Sequence, residues 1–433
     1  MDKSDKSIEK ALPPTHPKKL KVLTTAAIYL GNISLGFVIN AISPALEDIR
    51  VKYNVGIEEI SVIFTVILVF YCVGAVAYGF IANYMNRQII VMAALAGIAF
   101  SLYMIPHCPT QMVFFVVGAV FGLASGLYDA AQVVWIIEIW QEKAGPFILS
   151  QHLFYAIGAN IPSLVIAPFL DEHDTLITER SSRIYIPFTI LGAISTSALL
   201  FQLLLFIFCR YYKPPMYVSK NNDDVSTRTD VNATDAKIFG INVNKLKLIA
   251  VTSVFLGAHQ GMEACTQQFI PIFGQYSDLK LTESASAYVL TSLTAAYAVG
   301  RAIGVIIIFK VRPEIIICIN FVLIFVANCI LLIWASNNLT MFWIGCIMIG
   351  AGFSTMFPTF CAFMEKYLVF TNAVGSIVCV VASVFASTYP LIVGHLIKER
   401  AVVLTYTNFF STVVCILAMI SGYLLVRRIK VRV

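Results

Sequence analysis

Apolar residues run along this chain in stretches of about twenty, separated by short polar breaks, with neither the alternation of half-buried strands nor the narrow stripe of a surface helix. A bilayer core takes about 20 apolar residues per helix. Windows of that size predict twelve spans: 22–43, 60–83, 88–106, 111–137, 145–170, 184–209, 246–271, 283–309, 314–336, 339–364, 370–394 and 402–426. One long connection, 210–245, holds the polar run from Ser219 to Asp235 and separates a block of six spans at 22–209 from another at 246–426. Residues 1–21 and 427–433 are polar tails. The first carries six lysines and the tandem Pro13-Pro14, and the apolar run after it is too long for a signal-peptide core.

Composition agrees with this reading. Of 433 residues 59% are hydrophobic and only 12% are charged, with a mean hydropathy of +0.82. Soluble domains carry roughly 25% charged residues, so lipid is the solvent for most of this chain and an all-α membrane protein is expected. A soluble enzyme and a nucleic-acid binder are excluded on the same ground, and no catalytic motif or metal-ligand spacing occurs. The ten cysteines show no paired spacing.

Charge sets the orientation. With both termini in the cytoplasm, most of the 30 Lys and Arg fall on that side. The exceptions are Arg50, Lys52, Arg180, Arg183, Lys280, Lys398 and Arg400 outside, and Arg301 within a span. The outer segments are rich in acids, including Glu47, Asp48, Asp171 and Glu172.

Polar residues inside the spans carry the chemistry. An acid at a helix centre costs about 2.5–3.5 kcal/mol on insertion scales, so its presence calls for a role. Asp129 follows Gly118, Gly122 and Gly126, spaced four apart on a face that admits another helix. Asp129 and Gln132 continue that side. In the seventh span His259, Glu263 and Gln267 form one ridge, with Gln260 and Gln268 beside it. The first span has Asn32, Gly36 and Asn40 on a ridge, and the fifth has Gln151, His152 and Tyr155. Amides both donate and accept, which matches the hydroxyls of a neutral polyol, and Tyr29, Tyr128, Trp135 and Tyr155 are candidates to stack on a sugar face. Asp129 and Glu263 are the candidate carriers of Na⁺ or H⁺.

The two blocks echo each other. Gly74, Gly79, Asn83 and Arg87 cross from the second span to the third, and Gly300, Arg301, Gly304, Lys310 and Arg312 occupy the matching turn of the second block. Of these, Gly79, Asn83, Arg87, Gly300 and Arg301 are the candidate gating positions; Arg301 reads as a snorkelling or latch arginine near the cytoplasmic end. Asn338-Leu-Thr340 is a glycosylation sequon in an outer loop.

The run from Gly122 to Leu170 resembles the fourth and fifth helices of the sodium-dependent glucose transporter 1 and domain-containing-protein-4 branch of the major facilitator superfamily, itself similar to bacterial fucose–proton symporters. Tyr297-Ala-Val-Gly-Arg301 and Gly352-Phe-Ser-Thr-Met-Phe-Pro358 match as well. The resemblance implies the twelve-helix major facilitator fold and sugar–cation symport by alternating access, with Asp129 at the family's fourth-helix acid and His152 at its Leu-His-Phe-like position. Three features depart from the pattern: Val133 replaces an amide, Asn32 and Asn40 stand in a first helix without its acid, and Asn83 replaces an aspartate. The expectation is a monomeric plasma-membrane transporter of a hexose-like solute, with no cofactor beyond the transported cation and no partner beyond solute and lipid. Its rivals are an uncoupled facilitator of another organic solute and a transporter-like protein with a trafficking or regulatory role.

Overall fold

The computed structural model describes residues 18–82, 84–170, 183–209, 237–238, 241–307, 310–365, 367–368 and 372–431. Asn83, most of the predicted linker and most of the first tail lie outside the described residues. In hydrocarbon a segment must satisfy its own backbone, and each apolar run does so as a helix. We label the long helices α1 (Lys18–Asn40), α2 (Val62–Ile81), α3 (Arg87–Met104), α4 (Gln111–Trp140), α5 (Ala144–Ile166), α6 (Tyr185–Phe208), α7 (Val243–Tyr276), α8 (Glu283–Ile307), α9 (Pro313–Ile333), α10 (Leu339–Ser354), α11 (Asn372–Leu396) and α12 (Val403–Val431). Among the described residues, nine helical segments are long and apolar enough to cross a membrane. The predicted tenth span is broken at Thr355, where Met356–Glu365 begins a second helix. Part of the predicted linker forms a two-residue antiparallel ladder, β1 (Lys237–Ile238) with β2 (Ile241–Asn242).

Helix starts follow local chemistry. The Asn86, Thr110 and Asn338 side chains accept from the first-turn amides of α3, α4 and α10, and Pro313 opens α9, where its missing N–H costs nothing.

The helices pack α2 along α4 and α1 along α5, then α7 along α11 and α8 along α10. Between these sets run α2 against α11 and α5 against α8. Glycine sets the closest crossings. A Cβ on Gly122 would lie 2.1 Å from Ile67 O, and one on Gly350 would lie 2.2 Å from Leu293 O. The outward surface is apolar, with Phe80, Val116, Ile207, Ile306, Val322 and Leu417 exposed, whereas Asn32, Gln151, His259, Glu263 and Gln267 are buried. Water would reverse that distribution; lipid does not.

Three prolines inside helices mark one end of the bundle: Pro162 in α5, Pro271 in α7 and Pro390 in α11. A proline removes the N–H that would bond the carbonyl four residues back, and its kink draws the neighbouring carbonyl out of line. A side chain from another helix meets each of them. Asn40 Nδ2 donates to Ala159 O at 2.7 Å, Ser43 Oγ to Gln268 O at 2.6 Å, and Thr65 Oγ1 to Ser387 O at 2.9 Å. Asn160 Nδ2 to Thr294 Oγ1 at 2.8 Å and Tyr276 OH to Glu47 at 3.3 Å join the same end. The bundle is closed there.

Candidate functional site

At the centre of the bundle lies a cavity of about 160 Å³. Its polar wall includes Asn32 of α1, Tyr71 of α2, Asp129 and Gln132 of α4, Gln151, His152 and Tyr155 of α5, Gln260, Glu263 and Gln268 of α7, and Tyr297 and Arg301 of α8. Val38, Ile39, Ile67, Leu68, Phe357 and Ala386 supply apolar wall. Residues far apart in the chain thus share one space. Among the described residues, no group of three or more His, Cys, Asp or Glu is placed to hold a metal ion.

Asp129 is held by two neutral donors. Tyr71 OH donates to Oδ2 at 2.7 Å and Gln132 Nε2 to Oδ1 at 2.9 Å. Asn32 and Gln151 are buried, and neither the oxygen nor the nitrogen of either amide has a partner among the described residues. Gln132 Oε1 and Gln268 Oε1 are likewise unpartnered. An unmade hydrogen bond inside a protein costs about 1–3 kcal/mol, so these four amides form a wall that a hydroxyl-rich solute would complete.

Glu263 has different company. The Tyr297 hydroxyl faces its carboxylate, and Arg301 Nη2 donates to that same hydroxyl. Arg301 also donates to Ser354 O at 3.0 Å and to His152 O at 3.3 Å, tying α8 to α10 and α5. His259 Nδ1 stands 3.8 Å from Glu263. Arg301 is only 8% exposed. It does not snorkel: the side chain turns into the bundle, where backbone carbonyls and Tyr297 satisfy it.

Other predicted residues lie off the cavity wall. Asn40 and Gln267 bond each other at 3.1 Å within the closed end. His259 packs edge-on against Phe353. Of the four expected stacking aromatics only Tyr155 lines the cavity. Tyr128 and Trp135 are fully buried in packing, with Tyr128 OH donating to Ile28 O, while Tyr29 donates to Phe147 O and stacks on Phe154. Among the gating candidates, Arg87 pairs with Glu138 at 2.9 Å and bonds Ala82 O, Gly300 is pressed against Ser354, and a Cβ at Gly79 would meet open space. Asn338 is exposed and caps α10 through Met341 N.

Sequence reasoning missed Tyr71, which donates to Asp129, and Tyr297, which faces Glu263. A signal existed. Tyr71-Cys-Val-Gly74 and Tyr297-Ala-Val-Gly300 are copies of one pattern, each four residues beyond the carbonyl that meets a glycine of α4 or α10.

Comparison with known proteins agrees with this architecture. A sodium-dependent glucose transporter 1 of Danio rerio is 26% identical over 405 residues, covering 87% of this chain and 64% of that protein. The chain therefore spans less than two thirds of that relative's length. The Homo sapiens protein of the same name is 20% identical over 383 residues, covering 84% of this chain and 71% of its own. In shape, a D-xylose–proton symporter superposes with a TM-score of 0.69 at 11% identity, covering 93% of this chain and 97% of its own. Residues 28–386 match the Major Facilitator Superfamily. A helical bundle with an apolar exterior and a polar central cavity, matched over most of its length, makes this multi-pass membrane protein a member of that superfamily of transporters.

Proposed function

We propose that the protein is a cation-coupled symporter of a hexose-like neutral solute, driven by Na⁺ or H⁺ and working by alternating access. One observation carries this reading: a carboxylate with neutral partners, Asp129, shares a cavity wall with the unpartnered amides of Asn32 and Gln151. The amides bind hydroxyls, and Asp129 takes the coupling ion, with Glu263 as the second candidate. Gln132, Gln151, His152, Tyr155, Gln260 and Gln268 complete the solute site; His259, Asn40 and Gln267 join it as the closed end opens. The names of the relatives, sodium-dependent glucose transporters and a xylose–proton symporter, point to the same chemistry.

On this reading residues 22–209 and 246–426 are two six-helix halves, joined by the linker at 210–245, with both termini cytoplasmic and twelve crossings of the plasma membrane. The closed end is then the outer one and the cavity opens inward. Gly79, Asn83, Arg87, Gly300 and Arg301 serve the rocking of one half against the other. The protein works as a monomer, with Asn338 available for glycosylation.

A second reading has its own observation. Two hydrogen bonds already satisfy Asp129, as they would a purely structural acid in an uncoupled facilitator. Labelled glucose uptake into proteoliposomes, with Na⁺ and H⁺ gradients imposed separately, decides between them. Gradient-driven accumulation lost in Asp129→Asn, with exchange retained, is the expected result. Uptake that ignores both gradients in the wild type supports the facilitator.

A further inference from the structure

The repeated pattern identifies two acid sites that are built alike but charged differently. The crossing of α2 with α4 and that of α8 with α10 share one register: Ile67 O meets Gly122 and Leu293 O meets Gly350, and four residues on from each carbonyl a tyrosine turns into the cavity. Tyr71 donates to Asp129. Tyr297 faces Glu263. The residue after the glycine of each copy then differs, being Ala75 in the first and Arg301 in the second. Arg301 bonds the Tyr297 hydroxyl, so the second acid has a permanent cation one hydroxyl away. Both groups that bond Asp129 are neutral.

We infer that Glu263, Tyr297 and Arg301 form a self-neutralised triad, in which Arg301 is the fixed counter-charge of Glu263, and that Asp129 alone among the cavity acids exchanges a cation with solution. The inference rests on the cavity being the transport site. It removes Glu263 from the coupling step and accounts for Arg301, without which the cavity would hold two uncompensated acids. An isolated charge in low dielectric is strongly disfavoured, so a carboxylate with a built-in partner has no need to recruit one. The titratable and charged groups facing Glu263 are His259 on its own helix, Tyr297 and Arg301 on α8, and Tyr155 on α5. The wall from α11, formed by Ala382, Ser383 and Ala386, carries none.

Infrared spectroscopy of the purified full-length protein in liposomes reads the two carboxyls without requiring transport. Over about pH 5–8, or on replacing choline with Na⁺, one buried carboxyl signal is expected to respond. It should vanish in Asp129→Asn and persist in Glu263→Gln, and Arg301→Gln should add a second. Arg301→Lys keeps the charge while losing the planar fork, and should retain the single signal even where uptake falls. A response that persists in Asp129→Asn and vanishes in Glu263→Gln overturns the inference. Uptake supplies the second arm. Glu263→Gln and Arg301→Gln should each lose gradient-driven accumulation at least about 10-fold, and the double variant should recover to within about 5-fold of wild type, since removing both members of a pair leaves no orphan charge. A double variant no better than either single also overturns it. A wild type with the single Asp129 signal but no gradient-driven uptake sinks the symport reading and leaves the triad standing.

Discussion

The two acid sites of the cavity teach most when set side by side. Around Asp129 the protein supplies a phenol and an amide, which orient a carboxylate without cancelling its charge. Around Glu263 it supplies a phenol backed by a guanidinium, with the Gln267 amide 3.5 Å from Oε1. The two crossings share one register; the acids differ. Asp129 lies seven residues past Gly122 on α4, and the same count past Gly350 on α10 reaches Phe357, which lines the cavity with a ring. The second acid has moved to α7, next to the arginine. One scaffold therefore holds one open charge and one closed charge, and the comparison can be attacked at each difference.

The largest effect belongs to the acids themselves. Asp129→Asn should reduce gradient-driven accumulation by about 100-fold or more while leaving solute exchange intact, because the amide keeps the size of the carboxylate and loses its charge, and the Tyr71 hydroxyl can accept from the new N–H. Glu263→Gln should depress exchange together with accumulation, since it strands Arg301. Parallel measurement of both fluxes separates the two, and equal flux profiles for the two variants would erase the distinction.

The tyrosines come next. A hydrogen bond to a charged group contributes about 1.5–3 kcal/mol, or roughly 10–100-fold in affinity. Tyr71→Phe should weaken cation dependence by that factor, read as the cation concentration for half-maximal uptake. Tyr297→Phe should shift it by less than about 3-fold, because Glu263 takes no part in coupling. A larger shift from Tyr297→Phe would count against the asymmetry.

The shared scaffold predicts a symmetric response. Gly122→Ala and Gly350→Ala each drive a methyl into a backbone carbonyl that cannot turn aside, and overpacking of this kind costs about 1–3 kcal/mol. Thermal unfolding in detergent should fall by similar amounts for the two. Gly79→Ala, which meets open space, should leave it unchanged or raise it slightly.

The smallest effect lies at the closed end. Thr65→Val removes one neutral hydrogen bond of about 1 kcal/mol, and should raise labelling of an introduced cysteine at that end by about 5-fold.

Much of this was legible in the chain, and the reasons differ by residue. Helix positions followed from apolar length, because lipid leaves the backbone no other partner. The break at Thr355 did not, since the apolar residues from Gly352 to Phe363 outweigh Ser354, Thr355 and Thr359, and hydropathy runs on across it. Asn32 and Asn40 stand on one ridge two turns apart, yet one faces the cavity and the other seals the closed end. Depth in the bundle decides that, and depth comes from which helices meet. Arg301 looked peripheral by its place near the end of its span, but Tyr297 and two carbonyls draw it inward. Tyr71 stands among many aromatics, and only its copy at Tyr297 sets it apart.

The proline carbonyls at the closed end have a thermodynamic consequence. Each is held by a neutral side-chain donor, a bond of about 1 kcal/mol net, and water can replace that donor when the end opens. No helix must unwind, and breaking the three contacts costs only about 3 kcal/mol, a figure already net of the water that replaces each donor. A carrier that must visit two conformations in every cycle needs them nearly isoenergetic. Three proline-bearing helices fastened across the end by hydroxyls and an amide keep that balance within thermal reach and leave the bound solute to tip it.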